Sequence, residues 1–115
     1  MKRGDLYWAD LAPRSGSEQQ GRRPVIVVSS DGFNQVPTWR STIVIPMSTS
    51  ESKGHRGPTV VRIPQGAAGL DRSSFALCHQ VTTLDRSKLV HRIGTLDPEL
   101  LERLEDGLRA ALDLE

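Results

Sequence analysis

Gly21-Arg22-Arg23-Pro24-Val25-Ile26-Val27-Val28-Ser29 runs a charged approach straight into four β-branched residues. Side chains branched at Cβ pack well on a pleated surface, and an unbroken run of them predicts a strand buried on both faces from Pro24 to Ser29. Pro24 fixes its own φ and drives Arg23 toward extended backbone, so that arginine stands on stiff chain. Two forks of N–H donors held this way suit a phosphodiester. They equally suit water, because surface arginines are common. The stretch alone leaves those two readings level.

Upstream, Asp5-Leu6-Tyr7-Trp8-Ala9-Asp10-Leu11 follows Gly4 and mixes aromatic with apolar residues, as a strand does. Pro13 to Gly21 has no periodicity and reads as a loop. Downstream, Asp31 to Ser41 is broken by Gly32, Asn34 and Pro37, which predicts a connection with room for one helical turn. Thr42 to Ser48 predicts a third strand, and Pro46 argues that it is an edge strand or ends there. Thr49 to Pro58 reads as a mobile loop, Thr59 to Ile63 as a fourth strand and Ser74 to Val81 as a fifth. A short helix is expected from Asp85 through Lys88, Leu89 and Ile93, stopped by Gly94.

Asp97-Pro98-Glu99 combines an N-cap, a proline at the first helical position and a first-turn acid. Leu101, Leu104, Leu108 and Leu112 then recur at helical spacing, and they read as a core stripe. The expected fold is mainly β with a C-terminal α-helix: five short strands in a small, strongly bent barrel under a helical cover. Residues 1–115 form one domain, long enough for a core without metal or disulfide.

The formal net charge of +1 hides an asymmetry. Residues 97–115 hold 7 acidic and 2 basic residues, leaving 13 Lys/Arg against 7 Asp/Glu in residues 1–96. A basic body points to a polyanionic partner, and an acidic terminal helix packs away from it. The lone Cys78, in Phe75-Ala76-Leu77-Cys78, has no internal partner and fits a reduced, cytoplasmic setting. It reads as a small hydrophobe more readily than as a catalytic thiol. No export signal or membrane-spanning run is evident.

Several chemistries lack their residues. Gly66-Ala67-Ala68-Gly69 has no following lysine, so it is no phosphate loop. His55, His79 and His91 are scattered without zinc-site spacing, and neither metal nor cofactor is expected. No Gly-x-Ser-x-Gly elbow exists. His79 ends an apolar strand, where it is either a general base or, more ordinarily, a hydrogen-bonded wall residue. What remains is a set of positive and hydrogen-bonding groups near strand ends: Arg22, Arg23, Ser48, Thr49, Gln80, Thr82 and Thr83. Trp39 and Phe33 are candidates to stack on unpaired bases, whereas Trp8, inside a strand, is expected in the core. His55 and Arg56 read as solvated loop residues.

The order of motifs is recognisable. Arg3-Gly4-Asp5-Leu6-Tyr7-Trp8-Ala9-Asp10-Leu11, Gly16-Ser17-Glu18-Gln19, Arg23-Pro24-Val25-Ile26-Val27 and Val44-Ile45-Pro46-Met47-Ser48 together resemble the MazF/PemK toxin endoribonucleases. The likeness continues through Ser74-Phe75-Ala76-Leu77, Gln80-Val81, Thr83-Leu84-Asp85 and Ile93-Gly94-Thr95-Leu96, covering roughly residues 2–112. It implies a homodimer of SH3-like, CcdB-like barrels that cuts single-stranded RNA without metal, leaving 2′,3′-cyclic phosphate and 5′-hydroxyl ends. It also implies inhibition by a cognate MazE-like antitoxin whose acidic tail competes for the same guanidinium groups.

Carried residue by residue, the resemblance makes Arg23 the catalytic arginine and Ser48, with Thr49 beside it, the catalytic hydroxyl. It places Glu18, Gln19, Arg22 and Gln80 around the substrate, and Ser17 to Gln20 becomes a flap over the RNA. Glu18 either orients Arg23 or is a solvated loop acid. Thr82 departs from the family, which often carries arginine there, and the groove loses a charge. A CcdB-type gyrase poison shares the barrel and is the alternative. That poison ends in an aromatic and small-residue tip, unlike Ala111-Leu112-Asp113-Leu114-Glu115.

Overall fold

The computed structural model describes residues 1–12, 15, 16, 18, 19, 21–49 and 57–115. Its strands are β1 (Asp5–Asp10), β2 (Arg22–Val27), β3 (Ser41–Ser48), β4 (Val60–Ile63), β5 (Ser74–Leu77), β6 (Thr82–Asp85) and β7 (Leu89–Thr95). The helices are α1 (Asp31–Asn34) and α2 (Pro98–Leu112). The strands form one antiparallel sheet in the order β4-β5-β3-β2-β1-β7, with β6 also pairing to β3. The sheet is barrel-like without a closing β7–β4 ladder among the described residues.

The run at Val25–Val27 is buried on both faces, as its sequence predicts. Alternation along β1 to β3 sends Leu6, Ile26, Ile45 and Met47 into one cluster with Leu100 and Leu104 of α2. Ala9, Val25, Val27 and Val44 fill a second cluster on the other face, with Leu84 of β6. Each fully buried Leu or Ile contributes ~1.5–3 kcal/mol by leaving water. At the head of α2, the Asp97 carboxylate accepts from the Leu100 N–H at 2.9 Å, and Pro98 occupies the first turn.

Several expectations are corrected. The described residues hold seven strands rather than five, and the helix expected from Asp85 to Ile93 is a 3₁₀ turn, Arg86–Lys88, followed by β7. The Asp85 side chain caps that turn by accepting from Ser87 N–H, but β-branched Val90, Ile93 and Thr95 extend the chain against β1. Pro46 lies within an interior strand. Its position falls between Val44, the last residue paired to β6, and Met47, the first paired to β5, where that side's ladder breaks in any case. The fifth strand stops at Leu77, and Cys78–Gln80 forms a 3₁₀ turn.

The α2 stripe is centred on Leu100 and Leu104, with Leu101 and Leu108 half-buried and Leu112 exposed. Trp8 is half-buried and belongs to neither apolar cluster, because its cross-strand neighbours are Pro24 and His91. At the far end of the sheet the Ala67–Gly69 turn meets β7 backbone to backbone. A Cβ on Gly94 would stand 2.1 Å from the Ala68 carbonyl oxygen, so only glycine fits.

Candidate active site

Arg22 and Arg23 are the first two residues of β2 rather than the loop before it, lying opposite Asp10 and Ala9 of β1. Both side chains are exposed. The β2–β3 register pairs Val25 with Pro46. Continued two residues further, it sets Arg23 across from Ser48. Alternation also puts Arg23, Val25, Val44, Pro46 and Ser48 on one side of the sheet, while Thr49 follows with the opposite sense. Ser48 is only 5% exposed and pairs on its other edge with Phe75 of β5. Thr49 is exposed.

Strands β5 and β6 part beside the end of β3, and the Cys78–Gln80 turn fills the gap between them. From it the Gln80 Oε1 accepts the Gln19 backbone N–H at 2.9 Å. Gln19 is 5% exposed, well buried for a polar loop residue. Glu18 is exposed; its carboxylate accepts from Ser15 Oγ at 3.2 Å and its N–H donates to the Ser15 carbonyl. Thr82, half-buried, lies opposite Val44. Thus Arg23, Ser48, Gln19, Gln80 and Thr82 are gathered around the end of β3 and the turn beside it, with Arg22, Glu18 and Thr49 on the rim. Ser17, Gln20, His55 and Arg56 lie outside the described residues.

Trp39 is not brought to this place. It follows α1, at the end of the β2–β3 connection where β3 begins, a strand's length from Ser48. There it stacks on Phe33, ring centroids 5.0 Å apart and planes at 26°. Both rings remain exposed, at 45% and 47%. His79 is exposed, with Nδ1 3.1 Å from the Thr59 hydroxyl, so it is a hydrogen-bonded wall residue. Cys78 is fully buried against α2, and burial pushes its thiol up to about 11, which leaves no thiolate for catalysis at neutral pH. Among the described residues no three His, Cys, Asp or Glu side chains converge as a metal site.

Two contacts were not foreseen from the chain. The Lys88 ammonium donates to the Ala12 carbonyl at 2.9 Å, and the Leu11 N–H donates to the Gly21 carbonyl at 2.9 Å. Both hold the stem of the loop that delivers Arg22 and Arg23. No local pattern announces a lysine that bonds a backbone 76 positions away.

A family model described as PemK-like, MazF-like toxin of type II toxin–antitoxin system matches residues 2–112. The chain belongs to this toxin family. Over 114 residues it is 36% identical to Endoribonuclease EndoA of Bacillus subtilis (strain 168), covering 99% of this chain and 96% of that one. The fold matches a crystal structure of MazF from Deinococcus radiodurans with a TM-score of 0.81 at 24% identity, over 99% of this chain and 97% of the other. A MazE–MazF crystal structure from the same organism aligns with a TM-score of 0.75 at 26% identity, over 100% and 98%. The PemK/MazF membership thus spans the sheet, the loop stems and α2 together. No helix among the described residues is long and apolar enough to cross a membrane.

Proposed function

We propose that this chain, as a single toxin domain over residues 1–115, is a metal-independent, sequence-specific endoribonuclease acting on single-stranded RNA in the cytoplasm. The observation that carries the reading is the β2–β3 register, with Val25 opposite Pro46, whose extension by two residues aligns Arg23 with Ser48. It is supported by the family membership and by 36% identity to a relative named as an endoribonuclease. The same membership favours it over the CcdB-type gyrase poison.

In the proposed reaction the ribose 2′-oxygen attacks the adjacent phosphorus. A new O2′–P bond forms and the P–O5′ bond breaks. The 2′-OH proton is lost, and the departing 5′-oxygen gains one, giving a 2′,3′-cyclic phosphate and a 5′-hydroxyl. Negative charge grows on the non-bridging oxygens, and a fixed guanidinium aimed there stabilises the transition state more than the ground state. Arg23 has that role. Its fork of always-charged donors makes it an electrostatic group rather than a base. The Ser48 hydroxyl, shielded from bulk water, supplies a second donor. Arg22 and Thr49 at the rim serve phosphate positioning, with Glu18, Gln19, Gln80 and Thr82 shaping the remaining wall.

The toxin works as a homodimer and is neutralised by a MazE-like antitoxin. The exposed, stacked rings of Phe33 and Trp39, with Val36 between them in sequence, offer an apolar surface that a second copy can cover. Purified protein incubated with a long single-stranded RNA in EDTA is expected to cut at a recurring short sequence, leaving 5′-hydroxyl ends. Arg23→Ala should reduce cleavage about 10²–10³-fold at unchanged thermal midpoint. Intact RNA with the parent protein, or equal rates for parent and Arg23→Ala, rejects the reading. Sequencing the new 5′ ends defines the recognition sequence.

A further inference from the structure

We infer that Gln80 is a positioning residue: through the Gln19 backbone it sets the loop limb that carries Glu18 and leads into Arg22 and Arg23. Three observations meet here. The Gln80 side-chain carbonyl accepts the Gln19 N–H at 2.9 Å across 61 positions of sequence. Gln19 is buried, so this N–H has little access to water if its acceptor is lost. The base from which Gln80 projects is itself fixed. Beside it Cys78 is sunk beneath α2, where a Cβ on Gly107 would meet its sulfur at 2.6 Å, and His79 is bonded to Thr59.

Two attachments therefore bracket the entry to β2. Gln19 is held to the Cys78–Gln80 turn, and the Gly21 carbonyl is held by the Leu11 N–H. Each fixes a point on the approach to β2, and Arg23 follows two residues beyond the second. The acceptor oxygen of Gln80 is the feature required of it in this role.

The idea deepens the ribonuclease reading in its kinetic consequences but can be tested apart from it, on the RNA-free protein. In the parent, amide exchange followed by NMR should find the Gln19 N–H protected. Free exchange there overturns the inference without any variant. Gln80→Leu removes the acceptor and should speed that exchange about five- to tenfold, the worth of one neutral hydrogen bond. Gln80→Glu keeps an acceptor oxygen and should retain protection. Equal protection in Gln80→Leu and the parent, or loss in Gln80→Glu to the level of Gln80→Leu, overturns the assignment.

In RNA cleavage, Gln80→Leu should lower kcat about fivefold with KM little changed, because it misplaces reacting groups rather than removing a substrate contact. A rise in KM alone at constant kcat assigns Gln80 to RNA contact and overturns the positioning role. If the parent cuts no RNA, the ribonuclease reading fails, and the exchange result still decides whether Gln80 anchors the loop.

Discussion

At the Arg23 end of the β2–β3 pair, exposed Arg22 and Arg23 begin one strand and nearly buried Ser48 ends the next, and the adjoining loop is tied down by bonds from distant residues such as Gln80 and Lys88. At the Phe33–Trp39 end the ties are dense and mostly local. Ser30 caps α1 by accepting from Gly32 N–H, and buried Asn34 donates to the Ser29 carbonyl and the Asp31 carboxylate while accepting from the Ser29 hydroxyl. The Arg86 guanidinium donates to the Phe33 and Asn34 carbonyls, closing the helix from across the sheet. The first end presents charge beside a loop tied by bonds from distant residues; the second presents apolar rings on backbone braced largely by its own neighbours along the chain.

The widest test of that contrast lies in the hydroxyl pair. Ser48→Ala should cut RNA cleavage by about 10²–10³-fold, far more than any loss of thermal stability accounts for, and Thr49→Ala by about tenfold at most. The reverse order would transfer the role to Thr49 and with it the strand-face argument. At the other end, Trp39→Asp should weaken self-association about 30-fold in sedimentation equilibrium, the size of an interface hot spot, while the monomer stays folded. An unchanged sedimentation profile would take the aromatic end out of the dimer contact.

The smallest effect concerns acid. The Asn34 side chain, first, and the Arg3 N–H hold the Asp31 carboxyl below its ordinary 3.8, and the Ser87 hydroxyl and N–H do the same for Asp85. A carboxyl whose folded pKa is depressed stabilises fully above its unfolded value and loses that contribution as pH falls through the folded one. Asp31→Asn should therefore flatten the loss of thermal stability below about pH 4, by no more than about 0.5 kcal/mol because the group is exposed. Identical acid limbs for the two proteins would show that the Asp31 carboxylate carries no linkage.

The elements that were legible in the chain are those whose signals are local. The Val25–Val28 run, the one-turn helix after Ser30 and the Asp97-Pro98 start of α2 each need only their neighbours to be read. β7 was misread because Asp85 gives a true capping signal that ends after one 3₁₀ turn, and only pairing with β1 makes residues 89–95 a strand. Pro46 misled for a similar reason, since its tolerance depends on a change of neighbour that no single strand records. Within the site, motif order singled out Arg23 and Ser48, while the bond between Gln19 and Gln80 appears only once the turn and the loop meet in space.

The outer edge of β1 pairs with β7, and the Asp5 carboxylate accepts the Thr95 hydroxyl at 2.7 Å across 90 positions. β1 therefore waits for β7. Closing so long a span costs entropy before any ladder repays it, which favours slow, late completion. Until residues 89–95 arrive, one side of β1 offers bare backbone groups to any passing strand, the kind of edge that seeds aggregation. Synthesis in chain order thus leaves this edge of β1 unguarded until β7 emerges.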